Sequence, residues 1–142
     1  MRSHSTIVRS GPWGCAAWLS PRQGLAAGWT GTTPLPGGEF EPEEMPLLAA
    51  RLARSYPFLA EAHAHRLTHA YGARAARVLG RAKSTADLGQ DFGATLTEAE
   101  VRYLIEHEWA CTAEDVVWRR SKLGLRLSTA QIAALDGWMR ER

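Results

Sequence analysis

Glu61, His65 and His69 recur every four residues and so share one face of any helix that carries them. Two neighbours of this set are near enough to hold one metal ion. All three are not, because eight residues at a rise of 1.5 Å separate the ends by about 12 Å. No second cluster supplies the missing ligands at a recognisable spacing, so the set is expected to be a solvated polar face. Glu106, His107 and Glu108 make a second cluster in the linear sequence. Successive helical side chains diverge by about 100°, so these three do not converge on one atom and are expected to be exposed. Cys111 has no evident partner and is expected to be a small residue near a helix junction. The chain contains neither the Gly-x-Gly-x-x-Gly turn that brings a backbone against a dinucleotide pyrophosphate nor the Gly-x-x-x-x-Gly-Lys-Ser/Thr phosphate loop. No catalytic, cofactor-binding or metal-binding residue is assigned. What remains is a basic group, Arg119, Arg120, Lys122 and Arg126, following Trp118. Its first explanation is the negative end of a helix dipole, which favours cations. Its second is a docking surface, Trp118 included, for another domain or subunit.

The elements that position these residues follow from composition and period. At 142 residues the chain suffices for one compact domain. With 45% apolar and 23% charged residues it is composed like a soluble globular protein. A net charge of +2 is too small to argue for nucleic-acid or membrane binding. Two cysteines, Cys15 and Cys111, are too few for a disulfide framework, which favours a reducing, cytoplasmic compartment. No run approaches the roughly 18 apolar residues of a membrane span. Residues 1–28 show no sustained period; Pro12 and several glycines make them a poor signal peptide, and they are expected to be irregular or disordered. Residues 29–42, rich in Pro and Gly, read as a connector.

From residue 43 to 142 the period is helical. Glu43, Glu44 and Pro46 fit a helix start ahead of Met45, Leu48, Ala49 and Leu52. A second helix is expected from near Pro57, with Leu59, Ala62, Leu67, Ala70 and Tyr71, and Gly72 as its stop. A short third helix over 73–79 has the same stop at Gly80. Asp87–Gly93 reads as a loop. Three later helices each open on a capping box: Thr97 with Glu100, Thr112 with Asp115, Ser128 with Gln131. Their apolar faces carry Val101, Leu104, Ile105 and Trp109, then Ala113, Val116 and Val117, then Ile132, Leu135 and Met139. Trp109, Trp118 and Trp138 are expected in the core. With no convincing alternating strand, the fold class is all-α, a compact bundle of about six short helices after an irregular N-terminal segment.

Several stretches, in order, resemble one family. They are Trp29-Thr30 with Leu35-Pro36-Gly37-Gly38, Arg54-Ser55-Tyr56-Pro57-Phe58-Leu59, Tyr71-Gly72, and Asp87-Leu88-Gly89-Gln90-Asp91-Phe92-Gly93. Glu98-Ala99-Glu100-Val101-Arg102-Tyr103-Leu104-Ile105-Glu106-His107-Glu108-Trp109 is the most recognisable piece. Ala113-Glu114-Asp115 and Trp118-Arg119-Arg120-Ser121-Lys122-Leu123-Gly124-Leu125 complete the pattern. From about Trp29 to Trp138 the chain is similar to the C-terminal helical domain of bacterial aerobic, FAD-dependent glycerol-3-phosphate dehydrogenases and alpha-glycerophosphate oxidases. The resemblance implies an enzyme that oxidises glycerol 3-phosphate to dihydroxyacetone phosphate, passing hydride to FAD and electrons to a quinone at the inner face of the cytoplasmic membrane. It also implies that FAD and substrate bind N-terminal domains against which the helical domain packs. Residues 1–28 depart from the family, which there carries the end of the flavin domain. The expectation is therefore a truncated or misassembled gene product, inactive alone, with an orphaned docking face and a risk of self-association. Two alternatives stand beside it. One is a helix-turn-helix nucleic-acid-binding module with 129–140 as recognition helix, disfavoured by the low charge and the scarcity of cations on that helix. The other is a stand-alone interaction domain that docks on a complete dehydrogenase.

Overall fold

The computed structural model describes residues 33–142, and the helices lie in a unit spanning Pro36–Arg142. Residues 1–28, expected to be irregular, and the start of the connector lie outside the described residues. The first helix starts where the sequence implies, but Glu43 and Glu44 stand just ahead of it rather than in its first turn. A 3-10 turn, Pro42–Glu44, leads into α1, Met45–Ser55, with Pro46 in its first turn, where its missing N–H costs nothing. Ala49 and Leu52 turn inward. Helix α2 spans Glu61–Tyr71 and starts later than Pro57, because residues 57–60 form a turn. Its buried face is His63, Ala64, Leu67, Thr68 and Tyr71. Ala62 and Ala70, expected inside, are exposed. A methyl group commands too little area to orient a helix when Leu67 and Tyr71 pull along a neighbouring line.

Gly72 ends α2 at φ +56° and ψ −132°, a conformation open only to glycine. The Gly37 carbonyl lies against it, accepts from the Ala73 N–H at 3.0 Å, and stands 1.9 Å from where a Gly72 Cβ would be. The connector is therefore fastened to the end of α2 by backbone alone. A 3-10 turn, Gly72–Arg74, continues into α3, Ala75–Leu79, which stops at Gly80 as the sequence implies.

The segment read as a loop is more ordered than expected. Ser84 and Asp87 form a capping box on the 3-10 turn Thr85–Leu88. A small antiparallel hairpin follows, β1 Asp91–Gly93 and β2 Leu96–Thr97, pairing Asp91 with Thr97 and Gly93 with Leu96. At two and three residues these strands are too short to show a period. Helix α4, Glu98–Glu108, leaves the hairpin directly. A six-residue π-helical segment, Asp115–Arg120, takes the place of the fifth expected helix, followed by a 3-10 turn, Leu123–Leu125. Helix α5 is Thr129–Arg140.

Two of the three expected capping boxes form. Ser128 accepts from the Gln131 N–H at 3.3 Å while Gln131 Oε1 accepts from the Ser128 N–H at 2.9 Å. Thr112 accepts from the Asp115 N–H at 3.2 Å, and Asp115 answers at 3.0 Å. Thr97 makes no side-chain cap, because Glu100 is drawn inward instead. The fold is mostly α, as read from the sequence. One core unites Leu67, Leu88, Leu96, Val101, Leu104, Val116, Val117 and Leu135, all essentially closed to solvent. Each such side chain contributes about 1.5–3 kcal/mol.

Candidate functional site

The basic group singled out by sequence lies on an unusual stretch of backbone. After Asp115 the winding widens: the Ser121 N–H donates to the Val116 carbonyl, five residues back, at 3.0 Å, and Ser121 Oγ donates to the same oxygen at 2.7 Å. π-Helical turns are rare and concentrate at functional sites. Lys122 then takes a left-handed conformation, φ +58°, which reverses the chain. Val116, Val117 and Leu123 anchor the segment in the core. Trp118 lies outside it, 40% exposed, with its ring over Gly124; a Cβ there would come within 2.6 Å of the indole. Leu125 is 80% exposed. Arg119 pairs with Asp115 at 2.9 Å, while Arg120, Lys122 and Arg126 have no acidic partner among the described residues. The structure thus leaves an exposed indole and an exposed leucine on the same short segment as four exposed cations.

Trp118 corrects the expectation of a core tryptophan: the widened turn rotates it off the face held by Val116 and Val117. Trp109 corrects it more sharply. It stands one residue past α4 in a left-handed conformation, φ +55° and ψ +34°, and is 83% exposed. The turn that ends the helix swings it away from Val101 and Leu104. It forms one wall of an apolar groove of about 570 Å³ with Ile105, Ala110, Cys111, Met139 and Arg142. Trp138 is half-buried as an edge-on partner of Phe92, centroids 5.7 Å apart, with the Arg102 and Arg142 guanidinium groups over its ring at 5.4 and 5.3 Å.

Glu61, His65 and His69 all face solvent on α2. Glu106 and His107 are exposed, with His107 leaning on Tyr103 at 4.7 Å, and Glu108 is half-buried. Cys111 is exposed between α4 and the π-helical segment, its N–H donating to Asp115 at 3.1 Å. That bond and those from Thr112 hold the Asp115 carboxyl below the usual range.

Sequence reasoning missed a tightly constrained polar group among the described residues. Glu100 is fully buried and receives a two-pronged hydrogen bond from Arg66, at 2.8 Å to Oε1 and 2.5 Å to Oε2. The Tyr71 hydroxyl donates to Oε1 at 2.8 Å. Arg66 also donates to the Thr95 hydroxyl at 2.6 Å and the Thr95 carbonyl at 2.8 Å. Burial, then the adjacent Glu100 charge, pushes the Tyr71 hydroxyl well above its ordinary pKa, so it remains a donor. With three donors on its buried carboxylate, Glu100 braces the fold. The signal was available, since Glu100 lies four residues before Leu104 on the apolar face of α4. His63 is also buried, its Nε2 without a partner among the described residues.

FAD requires a strand, a glycine-rich turn and a helix N-terminus to seat its pyrophosphate. Among the described residues the only strands are the two of the hairpin, and Gly93 there lies against the Gln131 amide. The described residues do not fit a dinucleotide in this mode. No helix among the described residues is long and apolar enough to cross a membrane.

The family model for the C-terminal domain of alpha-glycerophosphate oxidase matches residues 29–140. The chain belongs to this family. It is 42% identical over 119 residues to the aerobic glycerol-3-phosphate dehydrogenase of Escherichia coli (strain K12), covering 84% of this chain and 24% of that protein. It is 44% identical over 115 residues to the glycerol-3-phosphate dehydrogenase of Pseudomonas aeruginosa, covering 81% and 22%. It is 40% identical over 114 residues to the D-erythritol 1-phosphate dehydrogenase of Brucella abortus, covering 80% and 23%. The chain therefore spans about a quarter of the length of the curated relatives it matches. It is a C-terminal domain of that enzyme family.

Proposed function

We propose that residues 43–142, entered through the connector 29–42, are the structural and docking domain of an FAD-dependent dehydrogenase that oxidises glycerol 3-phosphate to dihydroxyacetone phosphate and passes electrons to quinone. FAD and substrate are held by the N-terminal domains of that enzyme, which are this domain's partner. The work is done on the cytoplasmic side, at the inner face of the membrane. The observation that carries the reading is the match itself: it covers nearly all of the helical unit yet only the last quarter of its relatives. Trp118, Arg119, Arg120, Lys122 and Arg126 form the docking surface, an exposed indole with a border of cations that can meet carboxylates on a partner. The relatives' names include both a three-carbon and a four-carbon polyol phosphate at nearly equal identity. This supports a domain that holds the enzyme together rather than one that selects substrate.

A nucleic-acid-binding reading is weaker. The exposed face of α5 carries Thr129, Ala130, Ala133, Ala134 and Gly137, and its one cation, Arg140, is engaged with Asp136 at 2.7 Å. The test is a visible absorption spectrum of the purified chain, followed by glycerol-3-phosphate-dependent dye reduction. No flavin band and no turnover are expected. A stoichiometric flavin band would overturn the reading.

A further inference from the structure

The docking surface above leaves one apolar feature unused, the groove walled by Trp109. Helix α4 ends with the Trp109 and Ala110 N–H groups both directed to the Leu104 carbonyl, Ala110 at 3.1 Å. That closure needs a left-handed residue at position 109, for which glycine is the least costly choice. The sequence places the largest side chain there instead, and the turn holds 83% of it in solvent. Neither the helix end nor the core gains from this indole. Beside it lie Ile105, Ala110 and Met139, a mostly apolar floor edged by Cys111 and Arg142, which suits a protein side chain better than a small polar ligand.

We propose that the Trp109 groove is a second docking point of this domain, gripping an aliphatic or aromatic side chain of the flavin- and substrate-binding body that precedes it in the dehydrogenase. The inference rests on the docking reading. The occupant follows from chain length. In the matched relatives this segment is the last quarter of the polypeptide, so the other three quarters are the covalently tethered surface nearest to it. A tethered partner engages at high effective concentration, so one aromatic anchor in a shallow groove suffices.

The proposal predicts opposite effects of one substitution in two settings. In the isolated full chain, Trp109→Gly relieves the left-handed strain and removes a side chain that is mostly in solvent, so the melting temperature rises by several degrees. In the E. coli relative carrying residues 29–140 of this chain in place of its own matching segment, the same change lowers both the temperature of flavin release and dye-coupled activity, by at least tenfold for activity. Trp109→Asn, which tolerates the same backbone but also lacks the indole, gives the same loss. If Trp109→Gly raised or left unchanged the stability and activity of the chimera, the inference would be overturned and the docking reading would stand. If the unsubstituted chimera failed to hold flavin or melted in two independent steps, the docking reading itself would fall. If the isolated chain were a dimer that Trp109→Gly dissolved, the occupant would be a second copy and the assignment would be wrong.

Discussion

Arg66 and Glu100 show how much one buried pair decides. Glu100 gives up its hydration and recovers it through three donated hydrogen bonds, two from Arg66 and one from Tyr71. Removing one partner strands the other. Glu100→Ala is expected to cost about 3–5 kcal/mol, whereas Glu100→Leu combined with Arg66→Met costs far less, because no charge is left unpaired. Urea denaturation of the native protein, Glu100→Leu, Arg66→Met and the double variant, analysed as a double-mutant cycle with Glu100→Ala measured beside them, checks this. His63 contributes a pH dependence near neutrality. Burial, with Arg66 beside it, holds its imidazole below the ordinary value of 6.5, against weaker opposing effects of Glu100 and Asp91. At this group the unfolded chain then binds more protons than the folded one, so the His63 contribution is constant above about pH 6.5 and declines, turning against folding, as pH falls below it. Melting temperatures from pH 8 to pH 5 are expected to show this decline in the native protein and a flatter profile in His63→Gln, whose amide does not titrate over that range.

At the scale of elements, the joints matter more than the helices. The contact between Gly37 and Gly72 fastens the connector to α2 without any side chain. Gly72→Ala would put a Cβ 1.9 Å from the Gly37 carbonyl in a conformation closed to alanine. It is expected to destabilise by more than about 2 kcal/mol and to expose the Ala73 amide to hydrogen exchange, while distant amides of α4 keep their protection. At the other end, Gln131 both caps α5 and lies against Gly93, tying that helix to the hairpin. Ser128→Ala loses the cap alone and is expected to cost about 1 kcal/mol, read from the midpoint of chemical unfolding.

At the scale of the whole molecule, the residues of the proposed docking surface are separable from those that hold the fold. Trp118, Arg120, Lys122 and Arg126 contribute little to the core, since three are exposed cations without an acidic partner among the described residues and the fourth lies over Gly124 at the surface. Arg120→Glu with Lys122→Glu is expected to leave the isolated chain within about 0.5 kcal/mol of its original stability. In an assembled dehydrogenase the same pair is expected to weaken retention of this domain in a salt-dependent way. Limited proteolysis of the assembled enzyme at low and high ionic strength measures that retention.

The sequence by itself determined the helical class, the positions of most helix ends and the family. These depend on local signals, such as a proline in a first turn, a glycine at a stop, a serine and glutamine three apart, or an ordered set of short segments. Only the tertiary structure decided where Glu100 points, because a carboxylate three residues after a threonine suits a cap as well as a buried ion pair. Arg66, 34 residues away, settles the choice. The same holds for the tryptophans. Periodicity assumes an unbroken α-helix, and it placed Trp109 and Trp118 inside. The left-handed residue that ends α4 and the π-helical widening after Asp115 each rotate the chain off that period. The two tryptophans proposed for docking are therefore ones whose exposure no local pattern records.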